Sequence, residues 1–146
     1  MVMLRDPRDI LVSMFSQALP PNHTSWSYRN VTQSAQMIAG RLGLWQRLRE
    51  LLPPQVFHEI KYEAAATDFP DAVRGTLDFL GLPAEARTLD PAAHSRQKVV
   101  HSPTYAAVQE PVHTRAIGRW RNYAPWIGPV LAELDPVVAG LGYETS

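Results

Sequence analysis

The sequence has no cysteine among its 146 residues. Disulfide frameworks, thiolate metal sites and cysteine nucleophiles are therefore excluded. It has no excess of charge either: 14 basic and 14 acidic residues balance when the histidines are neutral. That balance excludes a binder that grips nucleic acid by bulk electrostatics. No apolar run approaches the roughly 20 residues that span a bilayer. No signal-type apolar segment follows Met1, so the expectation is a cytoplasmic protein with neither a membrane nor a nucleic-acid partner. The H-E-x-x-H spacing is missing, and His23, His58, His94, His101 and His113 fall at no metal-ligand spacing, so no metal is expected. No G-x-x-x-x-G-K-[ST] occurs, and no looser glycine-rich loop follows a strand. There is no internal repeat. Lysine is scarce, with only Lys61 and Lys98; every other basic residue is arginine. Arginine is the better bidentate partner for phosphate, which makes an anionic ligand worth seeking, although a GC-rich genome produces the same skew.

What is present suits one domain of ordinary size. Hydrophobic residues make up 45% of the chain, and folding at this length buries on the order of two-thirds of the unfolded surface. Val2-Met3-Leu4 reads as a short buried strand. Asp6 is placed to cap a helix, Pro7 suits its first position, and Asp9 adds negative charge near the positive end of the helix dipole. Ile10, Leu11, Met14 and Phe15 continue at helical spacing, and Pro20-Pro21 stop the run. A polar loop over 22–27 leads to a long helix from about Tyr28 to Leu52. Its apolar stripe is Val31, Ala35, Ile38, Leu42, Trp45 and Leu48, weakened by Gly40 and Gly43. Val56 to Tyr62 reads as a second strand. Asp68 to Leu80 reads as a helix, with Pro70 near its start and Gly81 just past its end. An irregular stretch from Pro83 to His113 follows. Then come a short helix over 116–123 and a last helix from Trp126 to Leu141, constrained by Pro129 and Pro136 and closed by Gly142. Strands separated by helices predict an α/β fold with a parallel sheet, mostly helical in this chain.

Arg5 stands at the C-terminal end of the first strand, where open α/β sheets bind ligands. Ser13 follows two helical turns beyond. A guanidinium fork and a hydroxyl can hold one phosphate together. By spacing alone, the simpler reading is Arg5 paired with a carboxylate and Ser13 as a polar helix residue. Trp120, Tyr123 and Trp126 read as core or helix-packing residues. Arg115, Arg119 and Arg121 fit a solvated face equally well. Asn22-His23-Thr24 and Asn30-Val31-Thr32 match the glycosylation pattern by chance.

Taken together and in order, four segments resemble one family. Leu4-Arg5-Asp6-Pro7-Arg8-Asp9-Ile10-Leu11-Val12-Ser13 resembles the 3′-phosphate-binding segment of sulfotransferases that use 3′-phosphoadenosine 5′-phosphosulfate (PAPS). Trp45 through Leu52-Pro53-Pro54, then Ile60-Lys61-Tyr62-Glu63, is similar to the part that follows. So is Asp78-Phe79-Leu80-Gly81-Leu82-Pro83. Ser102-Pro103-Thr104-Tyr105, with Val108, Pro111 and Ile117-Gly118-Arg119-Trp120-Arg121-Asn122-Tyr123, resembles the C-terminal part. The look is that of bacterial and tyrosylprotein sulfotransferases. The resemblance implies that Arg5 and Ser13 hold the 3′-phosphate and that Tyr62 lies against the nucleotide. It also implies that Thr104 stands where related enzymes place a serine near the sulfuryl group, and that the loop from Thr104 to His113 wraps the cofactor. Arg119 matches a basic residue that reaches a phosphate. Departures are Ala64-Ala65 for the usual Asp-Leu, Gln109 for an arginine, Ala107 for a glutamine, Gln17 for a basic residue and Thr104 for serine.

The resemblance further implies the C-terminal portion of a P-loop-type parallel-sheet domain. Residues 1–146 would then be a partial sulfotransferase domain without the first strand and the phosphosulfate loop. The family's general base belongs to the same absent part. The expectation is a sulfuryl transferase from PAPS to an acceptor hydroxyl, inactive as this chain alone. The acceptor stays open among a peptide tyrosine, a carbohydrate and a small molecule. Two readings outside catalysis also fit the residues: a non-catalytic truncated gene product, and a helical interaction module.

Overall fold

The structure, a computed structural model, describes residues 1–16, 30–85, 88–89 and 112–145. The Pro20-Pro21 stop, the polar loop over 22–27 and most of the irregular stretch expected over 83–113 lie outside the described residues. In chain order the elements are strand β1 (Val2–Leu4), helix α1 (Pro7–Ser16), helix α2 (Val31–Leu51) and a 3-10 turn (Pro54–Val56). Strand β2 (Glu59–Lys61), helix α3 (Tyr62–Thr67), helix α4 (Phe69–Leu80), a 3-10 helix (Arg119–Tyr123) and helix α5 (Ala124–Gly140) follow. They fall into two compact units: the described parts of 1–4 with 58–115, and of 5–57 with 116–146.

The first unit carries the sheet. β1 and β2 pair in parallel, with Val2 opposite Glu59, Met3 opposite Ile60 and Leu4 opposite Lys61. The parallel pairing is the one expected from strands separated by helices. β2 is shorter than the strand expected over Val56 to Tyr62. At its front, Pro53 and Pro54 turn the chain, and the Val56 N–H donates to the Pro53 carbonyl at 3.1 Å. At its back, Tyr62 does not end the strand but opens α3, whose Glu63-Ala64-Ala65-Ala66 run has high helix propensity. α4 matches its expected caps. The Asp68 side chain accepts from the Asp71 N–H at 3.0 Å. Gly81, at φ 66°, lets its own N–H reach the Asp78 carbonyl and that of Leu82 reach Leu77. His58 stacks on Phe79 of this helix, with ring centroids 5.3 Å apart.

The second unit is helical. α1 is capped as expected: the Arg8 N–H donates to Asp6 Oδ1 at 2.9 Å, and Ile10 N–H to the Asp6 carbonyl at 3.0 Å. α2 starts three residues later than expected, because the Asn30 side chain accepts from both Thr32 and Gln33. It then runs unbroken through Gly40 and Gly43. Of the expected stripe, Ala35 and Ile38 are buried and Val31 and Leu42 pack against the same core, whereas Leu48 is 41% exposed. Gln46 and Arg49, toward the end of α2, donate to the Val137 and Gly140 carbonyls of α5. The Arg49 bond gives a partner to the last carbonyl of α5, while the Gln46 bond is a second one on a carbonyl that the Leu141 N–H already reaches.

α5 contains Pro129 and Pro136 and still continues through both. A proline inside a helix costs about 3 kcal/mol. Against that, Ile127, Val130, Leu134, Val137 and Val138 are all buried with Leu11 and Ile38, each contributing about 1.5–3 kcal/mol. Burial of five such side chains outweighs two prolines. Gly142, at φ 72°, closes α5 as expected, with its N–H on the Ala139 carbonyl and that of Tyr143 on Val138. The short helix expected over 116–123 is a turn followed by the 3-10 helix that starts at Arg119.

Candidate functional site

The N-terminal end of α1 gathers the charged residues of the Arg5-to-Asp9 run. Arg8 is consumed locally: its Nε and Nη2 donate to the two Asp6 carboxylate oxygens at 2.9 and 2.8 Å, and both residues are buried. The same guanidinium lies 4.1 Å from the ring centre of Trp120. A carboxylate pairing of the kind that spacing alone suggested for Arg5 is made by Arg8. Arg5 donates from Nη2 to the Ala116 carbonyl at 2.9 Å.

Asp9 does more than its helix-dipole reading assigned. It is 1% exposed. Its Oδ2 accepts from the Gly118 N–H at 2.6 Å and its Oδ1 from the Trp120 N–H at 2.8 Å. Those are orphan donors at the start of the Arg119–Tyr123 3-10 helix, and Asp9 caps them from another element. Burial pushes the Asp9 carboxyl above the ordinary aspartate value. The Trp120 and Gly118 N–H groups pull it back, the Asp6 charge pushes it up again, and Arg5 lowers it. No local pattern signals this contact, since the partners are 109 and 111 residues away. Gly118 is the one residue that hints at it. It sits at φ 66°, where a Cβ would run into the Arg121 guanidinium.

The expected phosphate residues all fall in the second unit. Ser13 is half-buried on α1, one turn beyond Asp9. Arg119 is exposed, between the two residues whose amides Asp9 holds. Its Nη2 reaches the Tyr123 hydroxyl at 3.3 Å. Tyr62 and His113 belong to the first unit, and both are half-buried. Tyr62 directly follows β2, as Arg5 directly follows β1. Thr104 lies outside the described residues, as does the loop leading from it to His113. Trp120 is buried in the helical core, as expected. Trp126, expected to pack, is 71% exposed. It stands beside Tyr123 on an apolar groove of about 540 Å³ that Leu11, Phe15 and Val31 also line.

Comparison with known proteins gives three findings. A family model described as "Sulfotransferase family" matches residues 1–86. An uncharacterized protein of Aquifex aeolicus (strain VF5) is 21% identical over 132 residues, covering 90% of this chain and 17% of its own length. The chain thus spans about a sixth of that relative. No solved structure matches.

Proposed function

The chain belongs to the sulfotransferase family, and from that premise we propose that it serves sulfuryl transfer from PAPS to an acceptor hydroxyl, supplying the grip on the 3′-phosphate. Arg5, Ser13 and Arg119 hold that phosphate. Tyr62 lies against the nucleotide, and Thr104 and His113 belong to the loop that wraps it. One observation carries the reading. Arg5 is bonded to Ala116, and Gly118 and Trp120 are bonded to the helix that bears Ser13, so all three phosphate candidates share one frame. Two guanidiniums and a hydroxyl suit a dianionic phosphate, which wants several converging donors.

Sulfuryl transfer needs in-line attack. The acceptor oxygen bonds to sulfur as the bond from sulfur to the 5′-phosphate oxygen breaks, and a base takes the acceptor proton. As in phosphoryl transfer, positioning and charge stabilisation supply most of the catalysis. Arg5, Ser13 and Arg119 act at the far end from that chemistry, by anchoring the nucleotide. The 146 residues hold no phosphate-loop motif for the phosphosulfate end, so this chain alone is proposed to bind without transferring. The acceptor class is a peptide tyrosine, a carbohydrate or a small molecule.

The test is calorimetric titration with 3′-phosphoadenosine 5′-phosphate and, as control, adenosine 5′-phosphate. Binding that needs the 3′-phosphate and falls about tenfold or more in Arg5→Ala and in Ser13→Ala is expected, each removing a charge-assisted hydrogen bond. Equal binding of the two nucleotides, or none, would remove the phosphate assignment. A sulfated product made from PAPS by the purified 146-residue chain would overturn the statement that it does not transfer alone.

A further inference from the structure

We propose that Asp9 is a positioning residue for 3′-phosphate recognition: by holding the Gly118 and Trp120 amides, it sets where Arg119 stands. The inference rests on the phosphate role proposed for Arg119 and asks what places that residue.

The Arg119 side chain is exposed and weakly held: its bond to Tyr123 is long, at 3.3 Å, and its guanidinium lies 5.7 Å from that ring's centre. The Arg119 backbone is held on both sides instead. The preceding and following amides donate to the two oxygens of a single carboxylate, at 2.6 and 2.8 Å. Hydrogen bonds to an ionised acceptor are roughly twice as strong as neutral ones. The residue between two such bonds has little freedom to swing.

Why Asp9 rather than Asp6 does this is visible in the same cluster. Asp6 is fully engaged by Arg8 and by its own helix cap. Arg8 in turn lies over the ring of Trp120, so the turn is also held from its side-chain end. Arg5 fastens the chain two residues before Gly118, at Ala116. Ser13 is four residues after Asp9, hence on the same face of α1. Asp9 therefore hangs one phosphate candidate beside another. Its work would be felt in how well the site tells a 3′-phosphate from none, rather than in adenosine binding.

Asp9→Asn tests this. The amide has the same shape but one acceptor oxygen, and its NH2 would face an N–H donor, so one of the two turn amides is released. Wild type, Asp9→Asn, Arg119→Ala and the double variant are titrated with 3′-phosphoadenosine 5′-phosphate and with adenosine 5′-phosphate. Asp9→Asn is expected to weaken the bisphosphate about tenfold and to leave adenosine 5′-phosphate unchanged. The double variant should bind no worse than Arg119→Ala, since both act through one group. If Arg119→Ala binds like wild type, the phosphate reading of Arg119 is wrong. If Arg119→Ala weakens binding but Asp9→Asn does not, or weakens both nucleotides alike, that reading stands and the role of Asp9 falls. Should Asp9→Asn not fold, hydrogen exchange in the wild type decides. Slowing of the Gly118 and Trp120 amides by the bisphosphate, beyond that by adenosine 5′-phosphate, supports the proposal; equal slowing overturns it.

Discussion

Asp9 shows how one carboxylate can be both a support and a burden. Removing it as Asp9→Ala leaves two inward N–H donors without an acceptor, at about 1–3 kcal/mol each. We expect urea unfolding to show a loss of about 2–5 kcal/mol. Asp9→Asn keeps one acceptor and should lose less. Yet burial outweighs the two N–H bonds in setting its protonation, so the folded carboxyl titrates above its unfolded value. The sign follows from linkage. The stability linked to Asp9 is fully present below the ordinary aspartate value, about 3.9, and declines as pH rises through the higher folded value. Asp9→Asn should flatten that decline in a pH series of urea midpoints. A wild-type curve that instead rises with pH across that window, relative to the variant, would contradict the assignment. The surrounding charges, Asp6 with its Arg8 partner and Arg5, are common to both proteins and cancel in the difference.

At the scale of elements, caps govern what can be read from the sequence and what cannot. Asp68 with Gly81, Asp6 with Pro7, and Gly142 all act within a few residues, and their helices start or stop within about two residues of expectation. Asn30 fits the same rule and starts its helix three residues after the expected Tyr28. Its bonds to Thr32 and Gln33 make a further prediction. Asn30→Ala should cost about 1 kcal/mol in a denaturant midpoint, whereas Thr32→Ala should cost much less; equal losses would mean that the cap is not the source. Contacts between elements were not legible. That Arg49 rather than Leu48 would face α5 depends on where the carbonyls of that helix fall. The candidate site divides the same way. Arg5 and Ser13 sit in one short motif and could be read together, while the contact that holds the amides on either side of Arg119 joins distant parts of the chain.

Across the whole molecule, the family match and the fold meet at an instructive place. The match ends at residue 86, whereas the turn that Asp9 holds lies at 118–120. The matched region therefore contains Asp9 but not the turn that Asp9 holds. Among the described residues, no helix is long and apolar enough to cross a membrane. A ligand that binds only the folded frame stabilises it by mass action, about 2.7 kcal/mol at one hundred times its dissociation constant. For a chain of this length that corresponds to a rise of roughly 5–10 °C in melting temperature with 3′-phosphoadenosine 5′-phosphate. A melt that does not move under those conditions would argue against binding.

The two bonds of Asp9 span 109 and 111 residues, and this separation orders events during synthesis. A ribosome adding roughly 5–20 residues per second needs about 5–20 s to make the chain between them. For that time α1 exists without the amides it will cap, and closing so long a loop must precede any gain from the contact. On the proposed reading, affinity for a 3′-phosphate would thus come only after residue 120 has been made. A polypeptide that stops short of Gly118 carries Arg5 and Ser13, but not the turn whose amides Asp9 holds.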